Sequence, residues 1–110
     1  MKVAIIGSRD IKNIVLEQYI SDEVNEIVSG GAVGVDSCAA EYAKKKGLKV
    51  TVFLPQYEHY GRVAPIVRNK KIVEYADKII ALWDGKSKGT ASVIKYAKKT
   101  GRLCEIILFE

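Results

Sequence analysis

Several features that restrict function are scarce in this sequence. Its 110 residues hold two cysteines, Cys38 and Cys104, in an apparent helix and an apparent strand. Neither cysteine belongs to a CxxC or Cys/His cluster, so we expect buried, reduced thiols and no metal site. The single histidine, His59, does not allow a Ser/His/Asp or Cys/His arrangement to be assembled, and no catalytic residue is assigned.

Long apolar runs are also missing. No run approaches the ~20 residues that cross a bilayer, and the apolar stretch that follows Lys2 ends after four residues without a cleavage site. We therefore expect no membrane association, no secretory signal and a cytoplasmic protein. The length and a hydrophobic fraction of 48% predict one globular domain over residues 1–110. The net charge of +5 favours polyanionic partners, but lysines at helix ends and backs are usually a solvated face.

Five short apolar runs, rich in Val and Ile, are mostly continuous rather than alternating. They are Val3–Ile6, Glu26–Ser29, Val50–Leu54, Ile79–Trp83 and Cys104–Phe109. Continuous runs of this kind are typical of a parallel sheet that is covered on both faces.

Four segments with helical spacing lie between these runs. They contain Ile11, Ile14, Val15 and Gln18–Tyr19; Val35, Ala39 and Tyr42–Ala43; Ile66, Ile72–Val73 and Ala76; and Val93, Ile94 and Ala97. Pro65 opens the third and Gly101 closes the fourth. This alternation predicts an α/β fold, a doubly wound parallel sheet of Rossmann type with helices on both faces. One irregular connection, Pro55–Ala64, is long enough to cross to the other half of the sheet.

Ligands of such sheets bind beyond the carboxyl ends of the strands, and the first loop there is Gly7-Ser8-Arg9-Asp10. Gly7 allows close backbone approach to a ligand, and the Ser8 hydroxyl and Arg9 guanidinium are good phosphate donors. The alternative is a tight turn in which Arg9 pairs with Asp10 or another carboxylate.

The second loop runs from Ser29 to Asp36 and holds Gly30, Gly31 and Gly34. These glycines free backbone N–H groups to face an anion at a helix start. The spacing is GGxxG, so it is not the GxGxxG dinucleotide fingerprint. Asp36 would cap the helix or accept a hydrogen bond from a ribose hydroxyl. A capped turn alone explains one glycine but not three.

The third loop, Trp83 to Thr90, contains Gly85-Lys86-Ser87. A P-loop is excluded because Ile80 stands where its first glycine is required. The loop instead predicts a second anion site built on Ser87, Gly89 and Thr90, with a solvated basic loop as the alternative.

Two further residues, Arg68 and Asn69, fall in the first turns of the third helix. There Arg68 would face the sheet end and reach a phosphate or carboxylate, unless it is an ordinary surface residue.

Taken together, these motifs resemble the SLOG superfamily, the Rossmann-like group that joins the DNA-processing protein DprA and the LOG phosphoribohydrolases. The motifs are Ala4–Arg9, Ile27–Asp36, Arg68-Asn69 with Ala76-Asp77, and Ser87–Thr90. They span nearly the whole chain, and the likeness is greatest to short stand-alone members of bacteria and phages. The resemblance implies strand order 3-2-1-4-5, a nucleotide pocket built from these loops, and a homodimer or higher homo-oligomer.

One departure from the LOG pattern concerns catalysis. LOG enzymes carry two glutamates of their catalytic motif where this chain has Ser92 and Val93. Asp36 or Glu41 would have to replace them.

Three functions follow from this reading. The first is binding of a nucleotide or nucleotide derivative, such as an ADP-ribose or NAD-like molecule, as sensor, carrier or sequestering protein, with Trp83 or Tyr57 stacking its base. The second is hydrolysis of a nucleotide or its glycosidic bond. The third is DprA-like binding of single-stranded DNA, for which few clustered aromatics are present. No resident cofactor is expected.

Overall fold

The computed structural model describes residues 1–8, 11, 15–30 and 35–109, with the side chains of residues 35–37 left out. Its centre is a five-stranded parallel sheet with the order β3-β2-β1-β4-β5. The strands are β1 (Lys2–Gly7), β2 (Glu26–Ser29), β3 (Lys49–Val52), β4 (Lys78–Trp83) and β5 (Leu103–Leu108). The predicted fold class and strand order are confirmed, with strand ends shifted by one or two residues.

Helices cover both faces of the sheet. They are α1 (Val35–Lys46), the single turn α2 (Tyr57–Tyr60), α3 (Ala64–Tyr75) and α4 (Lys88–Lys99), with 3-10 turns at Leu16–Gln18 and Gly61–Val63. Pro65 lies in the first turn of α3, where the missing N–H has no intrahelical partner to lose. Gly101 follows α4 with φ 73°, a left-handed conformation that favours glycine at a helix end.

The two faces of the sheet build two separate apolar clusters. Alternate residues of one strand point to opposite faces, so Ile5 packs on the α1 side and Ala4 on the side of α3 and α4. The central strands β1 and β4 are buried along four residues each, which explains their continuous apolar sequence. Strand order and burial therefore place the loops after these two strands side by side.

Two sequence predictions of local structure need correction. In the described part of the first predicted helix, from Val15 to Tyr19, the chain forms the 3-10 turn Leu16–Gln18, and Val15 is extended; Ile14 lies outside the described residues. The connection Pro55–Ala64 is not irregular, because it holds α2 and the second 3-10 turn. It does cross to the other half of the sheet, since β4 pairs with β1.

The two cysteines are free thiols, as predicted, but they are half-buried rather than buried. Cys38 packs against the α1-side cluster and Cys104 against the other one, so the sheet lies between them. Burial raises the pKa of the Cys104 thiol.

A polar network closes the amino-terminal edge of the sheet. Glu26 on β2 is buried, and its Oε2 accepts hydrogen bonds from the Thr51 hydroxyl (2.8 Å) and the Tyr75 hydroxyl (2.5 Å). The Lys49 ammonium lies 3.7 Å from Oε1. The Tyr75 hydrogen bond, followed by those from Thr51 and the charge of Lys49, holds the Glu26 pKa below its ordinary value.

Within the described part of the chain, no helix has the length and apolar character needed to span a membrane.

Candidate functional site

The loops that follow β1 and β4 meet at the carboxyl edge of the sheet. Gly7 is in register with Leu82, and the Ser8 N–H donates to the Leu82 carbonyl at 3.1 Å. One step further on, the Asp84 N–H donates to Ser8 Oγ at 3.3 Å. Because Ser8 is 2% exposed, its hydroxyl ties the two loops together from inside the protein.

A cavity of about 620 Å³ opens between these loops and the starts of α3 and α4. Its lining includes apolar side chains from three elements: Ile6, Pro65, Ile72 and Val93. The remaining lining residues are polar or glycine: Gly7, Ser8, Gly30, Arg68, Asn69, Asp84, Lys86, Ser87, Gly89 and Thr90. The volume is typical of small-molecule sites, and the lining is richer in polar side chains than in apolar ones.

Eight of the twelve predicted binding residues line this one cavity. They are Gly7, Ser8, Gly30, Arg68, Asn69, Ser87, Gly89 and Thr90. Arg9, Gly31 and Gly34 lie outside the described residues, and Asp36 belongs to α1 with its side chain left out. The structure thus brings together residues from four separate parts of the sequence, and their binding role stays a prediction.

Arg68 is the most constrained cation of the cavity. Its Nη1 donates to the Gly30 carbonyl at 2.8 Å, and its Nε donates to Asn69 Oδ1 at 2.8 Å. Both acceptors are neutral, and no carboxylate of the described residues forms an ion pair with this guanidinium. Arg68 is also half-buried. A fixed, half-buried cation held only by neutral acceptors is well prepared to bind an anion.

The turn after β4 is organised by Asp84, which the sequence analysis did not select. Its Oδ1 accepts hydrogen bonds from the N–H groups of Lys86 and Ser87, both at 2.8 Å. Gly85 between them has φ 80°, which a side chain would strain. An aspartate followed by glycine at a strand end is a common turn signal, so the motif was visible in the sequence.

The hydrogen bonds of this turn reduce the number of backbone N–H groups that the predicted anion site can use. The N–H groups of Lys86 and Ser87 already serve the Asp84 carboxylate, so they are not free for a ligand. The N–H groups of Lys88 and Gly89, in the first turn of α4, have no acceptor among the described residues. Gly89 lines the cavity and Lys88 does not, so the Gly89 N–H is the group of the two that can face an anion there.

Ser87 has a capping role at the start of α4. Its Oγ accepts from the Thr90 N–H at 3.4 Å and donates to Thr90 Oγ1 at 3.4 Å. Thr90 is 5% exposed and lines the cavity. Because Thr90 Oγ1 accepts a hydrogen bond from the Ser87 hydroxyl, the Thr90 hydroxyl can still donate a hydrogen bond to a ligand.

Neither aromatic residue suggested for base stacking lines this cavity. The Trp83 indole donates from Nε1 to the Ser87 carbonyl at 3.0 Å and packs at the edge of the core, so it supports the β4 turn. Tyr57 is 60% exposed and lines a separate shallow groove along α2.

The carboxylates suggested for catalysis are also absent from the described lining. Glu41 is exposed on α1, and Val93, at one of the two LOG glutamate positions, is a buried core residue. Asp84 is the carboxylate that the described lining does contain, and the N–H groups of Ser87 and Lys86 hold its pKa below the ordinary value. Among the described residues, no group of His, Cys, Asp and Glu side chains is suited to hold a metal ion.

The sheet order, the strand-end loops and the cavity define a Rossmann-like α/β protein with one candidate ligand site. The chain belongs to the DNA recombination-mediator protein A family, whose model matches residues 1–63. This match confirms the resemblance to the DprA branch of the SLOG superfamily. Comparison with curated proteins and with solved structures finds no match.

The matched region includes the loops after β1 and β2 but ends before Arg68. The cavity is therefore built partly from matched sequence and partly from sequence beyond it, including the whole β4 turn.

Proposed function

We propose that the cavity binds a nucleotide or nucleotide derivative of the ADP-ribose or NAD type, and that the chain, residues 1–110, acts as its sensor, carrier or sequestering protein. The observation that carries this proposal is the Arg68 guanidinium, which is half-buried in the cavity wall and whose acceptors among the described residues are neutral. A phosphate would supply the missing negative charge.

The surroundings of Arg68 support a ligand with both phosphate and apolar surface. The N–H group of Gly89 and the hydroxyl of Thr90 offer donors, whereas Ile72 and Val93 offer an apolar wall. Inorganic phosphate would use only the polar part of this lining. A nucleotide would use both parts, since its base and ribose present apolar surface beside the phosphates.

The first test is native mass spectrometry of freshly purified protein, followed by denaturation and identification of any released molecule. We expect a co-purified nucleotide, or else a rise in melting temperature with ADP, ADP-ribose or NAD. A protein that is empty and gains no thermal stability from any of the three would contradict the proposal.

Hydrolysis of the nucleotide is the alternative function of the same cavity. The described lining offers it one carboxylate, Asp84, whose pKa is held below the ordinary value by the N–H groups of Ser87 and Lys86. Incubation of the purified protein with ADP-ribose and analysis of the products by chromatography separates the two functions. Turnover that is lost in Asp36→Asn or Glu41→Gln would favour the enzyme instead.

Binding of single-stranded DNA is the second candidate, because the family description refers to DNA recombination. The surface around α2 supports it: the Tyr57 ring is 60% exposed, and Arg62 in the following 3-10 turn is exposed as well. Exposed rings and cations are the usual platform for single strands.

Fluorescence polarisation of a labelled oligothymidylate over a range of salt concentrations tests this candidate. Affinity that falls steeply with salt and drops in Tyr57→Ala would support DNA binding at α2. Equal affinity of Tyr57→Ala and the unchanged protein would reject that surface.

We further propose that the protein acts in the cytoplasm and forms a homodimer, as the resemblance implies. Light scattering coupled to gel filtration measures the mass in solution, and a value near 12.2 kDa would reject the dimer.

A further inference from the structure

We propose that Asp84 selects ligands that carry ribose hydroxyl groups beside their phosphates. This inference rests on the proposed nucleotide function and names the ligand chemistry that the cavity prefers. Asp84 lines the same cavity as Arg68, so one site presents a fixed cation and a fixed anion. A ligand made only of phosphate would match the first of these charges and be repelled by the second.

The Asp84 carboxylate is held in one position by its turn. Its Oδ1 accepts two backbone hydrogen bonds, from Lys86 and Ser87, and its own N–H donates to Ser8 Oγ. These contacts fix the carboxylate without neutralising its charge, because every donor is itself neutral. An ionised carboxylate only accepts hydrogen bonds, so its ligand partner must be a donor.

The second oxygen, Oδ2, has more capacity left to accept from a ligand, because Oδ1 already accepts two N–H groups. The Ser8 side chain also interacts with the carboxylate and helps to lower its pKa. The vicinal hydroxyls of a ribose are donors of the required kind, and a nucleotide carries them within a few bonds of its phosphate. Phosphate at Arg68 and ribose at Asp84 would therefore satisfy both charged groups with one molecule.

The substitution Asp84→Asn isolates this role. The asparagine amide oxygen can keep the two hydrogen bonds from Lys86 and Ser87, so the turn has the same acceptor in the same place. The amide nitrogen would replace the Oδ2 acceptor by a donor, and the negative charge would be lost. Asp84→Ala, in contrast, also removes the acceptor that holds the turn, and serves as the comparison for structural damage.

Isothermal titration calorimetry with three probes provides the test: ADP, 2′,3′-dideoxy-ADP and pyrophosphate. We expect the unchanged protein to bind ADP about tenfold more tightly than the dideoxy compound, the scale of a hydrogen bond to a charged group. In Asp84→Asn this ratio should fall close to one. Pyrophosphate has no ribose, and its affinity for the Asp84→Asn variant should equal or exceed its affinity for the unchanged protein.

The different effects of Asp84→Asn on ADP and on pyrophosphate affinity distinguish ligand selection by Asp84 from a purely structural role. If Asp84→Asn weakens all three probes equally, as Asp84→Ala should, the residue only supports the turn and the inference is overturned. Equal affinity of the unchanged protein for ADP and dideoxy-ADP would overturn it as well, while leaving nucleotide binding in place. Failure of all three probes to bind would overturn the proposed function itself.

Discussion

The Gly30 carbonyl accepts a hydrogen bond from Nη1 of Arg68 at 2.8 Å, and a Cβ on Gly30 would stand only 2.6 Å from the same nitrogen. Glycine is therefore required at this position by the approach of an arginine and not by backbone conformation, since Gly30 lies outside the left-handed region. The residue that follows β2, Gly30, thus holds the guanidinium of Arg68 on α3.

Gly30→Ala should displace Arg68 with little effect on folding. The clash falls on the far end of a flexible side chain, so the guanidinium moves and the backbone stays. We expect ADP affinity to fall about tenfold, or about 1.4 kcal/mol, while the free energy of unfolding changes by less than about 1 kcal/mol. Calorimetric titration and urea unfolding measure the two quantities.

A double-mutant cycle shows whether the loss acts through Arg68. In an Arg68→Ala background, Gly30→Ala should cost no further affinity, because the group it displaces is already gone. Additive losses would mean that Gly30 contacts the ligand by itself.

Arg68→Ala should weaken nucleotide binding by about 1.5–3 kcal/mol, the value of a hydrogen bond to a charged group. Arg102→Ala is the matched control, because it removes the same charge from the opposite edge of the sheet. The Arg102 guanidinium donates to the carbonyls of Glu74 (3.0 Å) and Ala76 (3.5 Å) at the end of α3. This control should leave ADP affinity unchanged. Equal losses of affinity in both variants would mean that the change in net charge, and not a contact of Arg68, causes the effect.

The strands of the sheet were predicted well because the apolar pattern that indicates each strand lies within that strand. The strands are short and mostly continuous apolar runs, and in the central strands this continuity follows directly from burial on both faces. The edge strands β3 and β5 were also found, although they are largely exposed. Pro65 and Gly101 marked helix ends correctly because their backbone preferences are intrinsic.

The candidate site was predictable only in part. Glycines and hydroxyls at strand ends are visible as motifs, whereas Ile72 and Val93 look like ordinary core residues until the fold brings them to the cavity. The role of Ser87 as helix cap, and not as a free phosphate donor, depends on where α4 begins. The link between Gly30 and Arg68 spans 38 residues, and no local pattern reports a contact over such a separation.

The Glu26 network should make stability depend on acid pH. The folded-state pKa of Glu26 is lowered from 4.5, so its contribution is present above about pH 4.5 and is lost as the pH falls through the folded value. Tyr75→Phe removes the largest cause of the lowered pKa. We expect it to cost about 1–2 kcal/mol at pH 7 and less at about pH 3.5, toward the acid range in which the contribution of the Glu26 charge is lost.

Urea unfolding at the two pH values measures this difference. Tyr57→Phe is the control, since Tyr57 is 60% exposed and the described hydroxyls bonded to Glu26 are those of Thr51 and Tyr75. A cost of Tyr75→Phe that is the same at both pH values would show that the hydroxyl does not act through the charge of Glu26.

Gly89→Ala should separate the stability of α4 from ligand binding. Gly89 lies in the first turn of α4 and lines the cavity, and a Cβ there would meet no atom within 4 Å. In the free protein the methyl group is therefore accommodated, and alanine should stabilise the helix by up to roughly 1 kcal/mol. With ligand present, the same methyl group would occupy the space beside the N–H group of Gly89 in the cavity.

We therefore expect a higher melting temperature without ligand and a smaller increase when ADP is added. Ser92→Ala is the matched control, because Ser92 is exposed on the same helix and does not line the cavity. Ser92→Ala should favour the helix by a few tenths of a kcal/mol and leave the rise in melting temperature on addition of ADP unchanged. If Gly89→Ala keeps the full increase as well, the phosphate does not approach the start of α4, and Arg68 with the β1 loop must hold it alone.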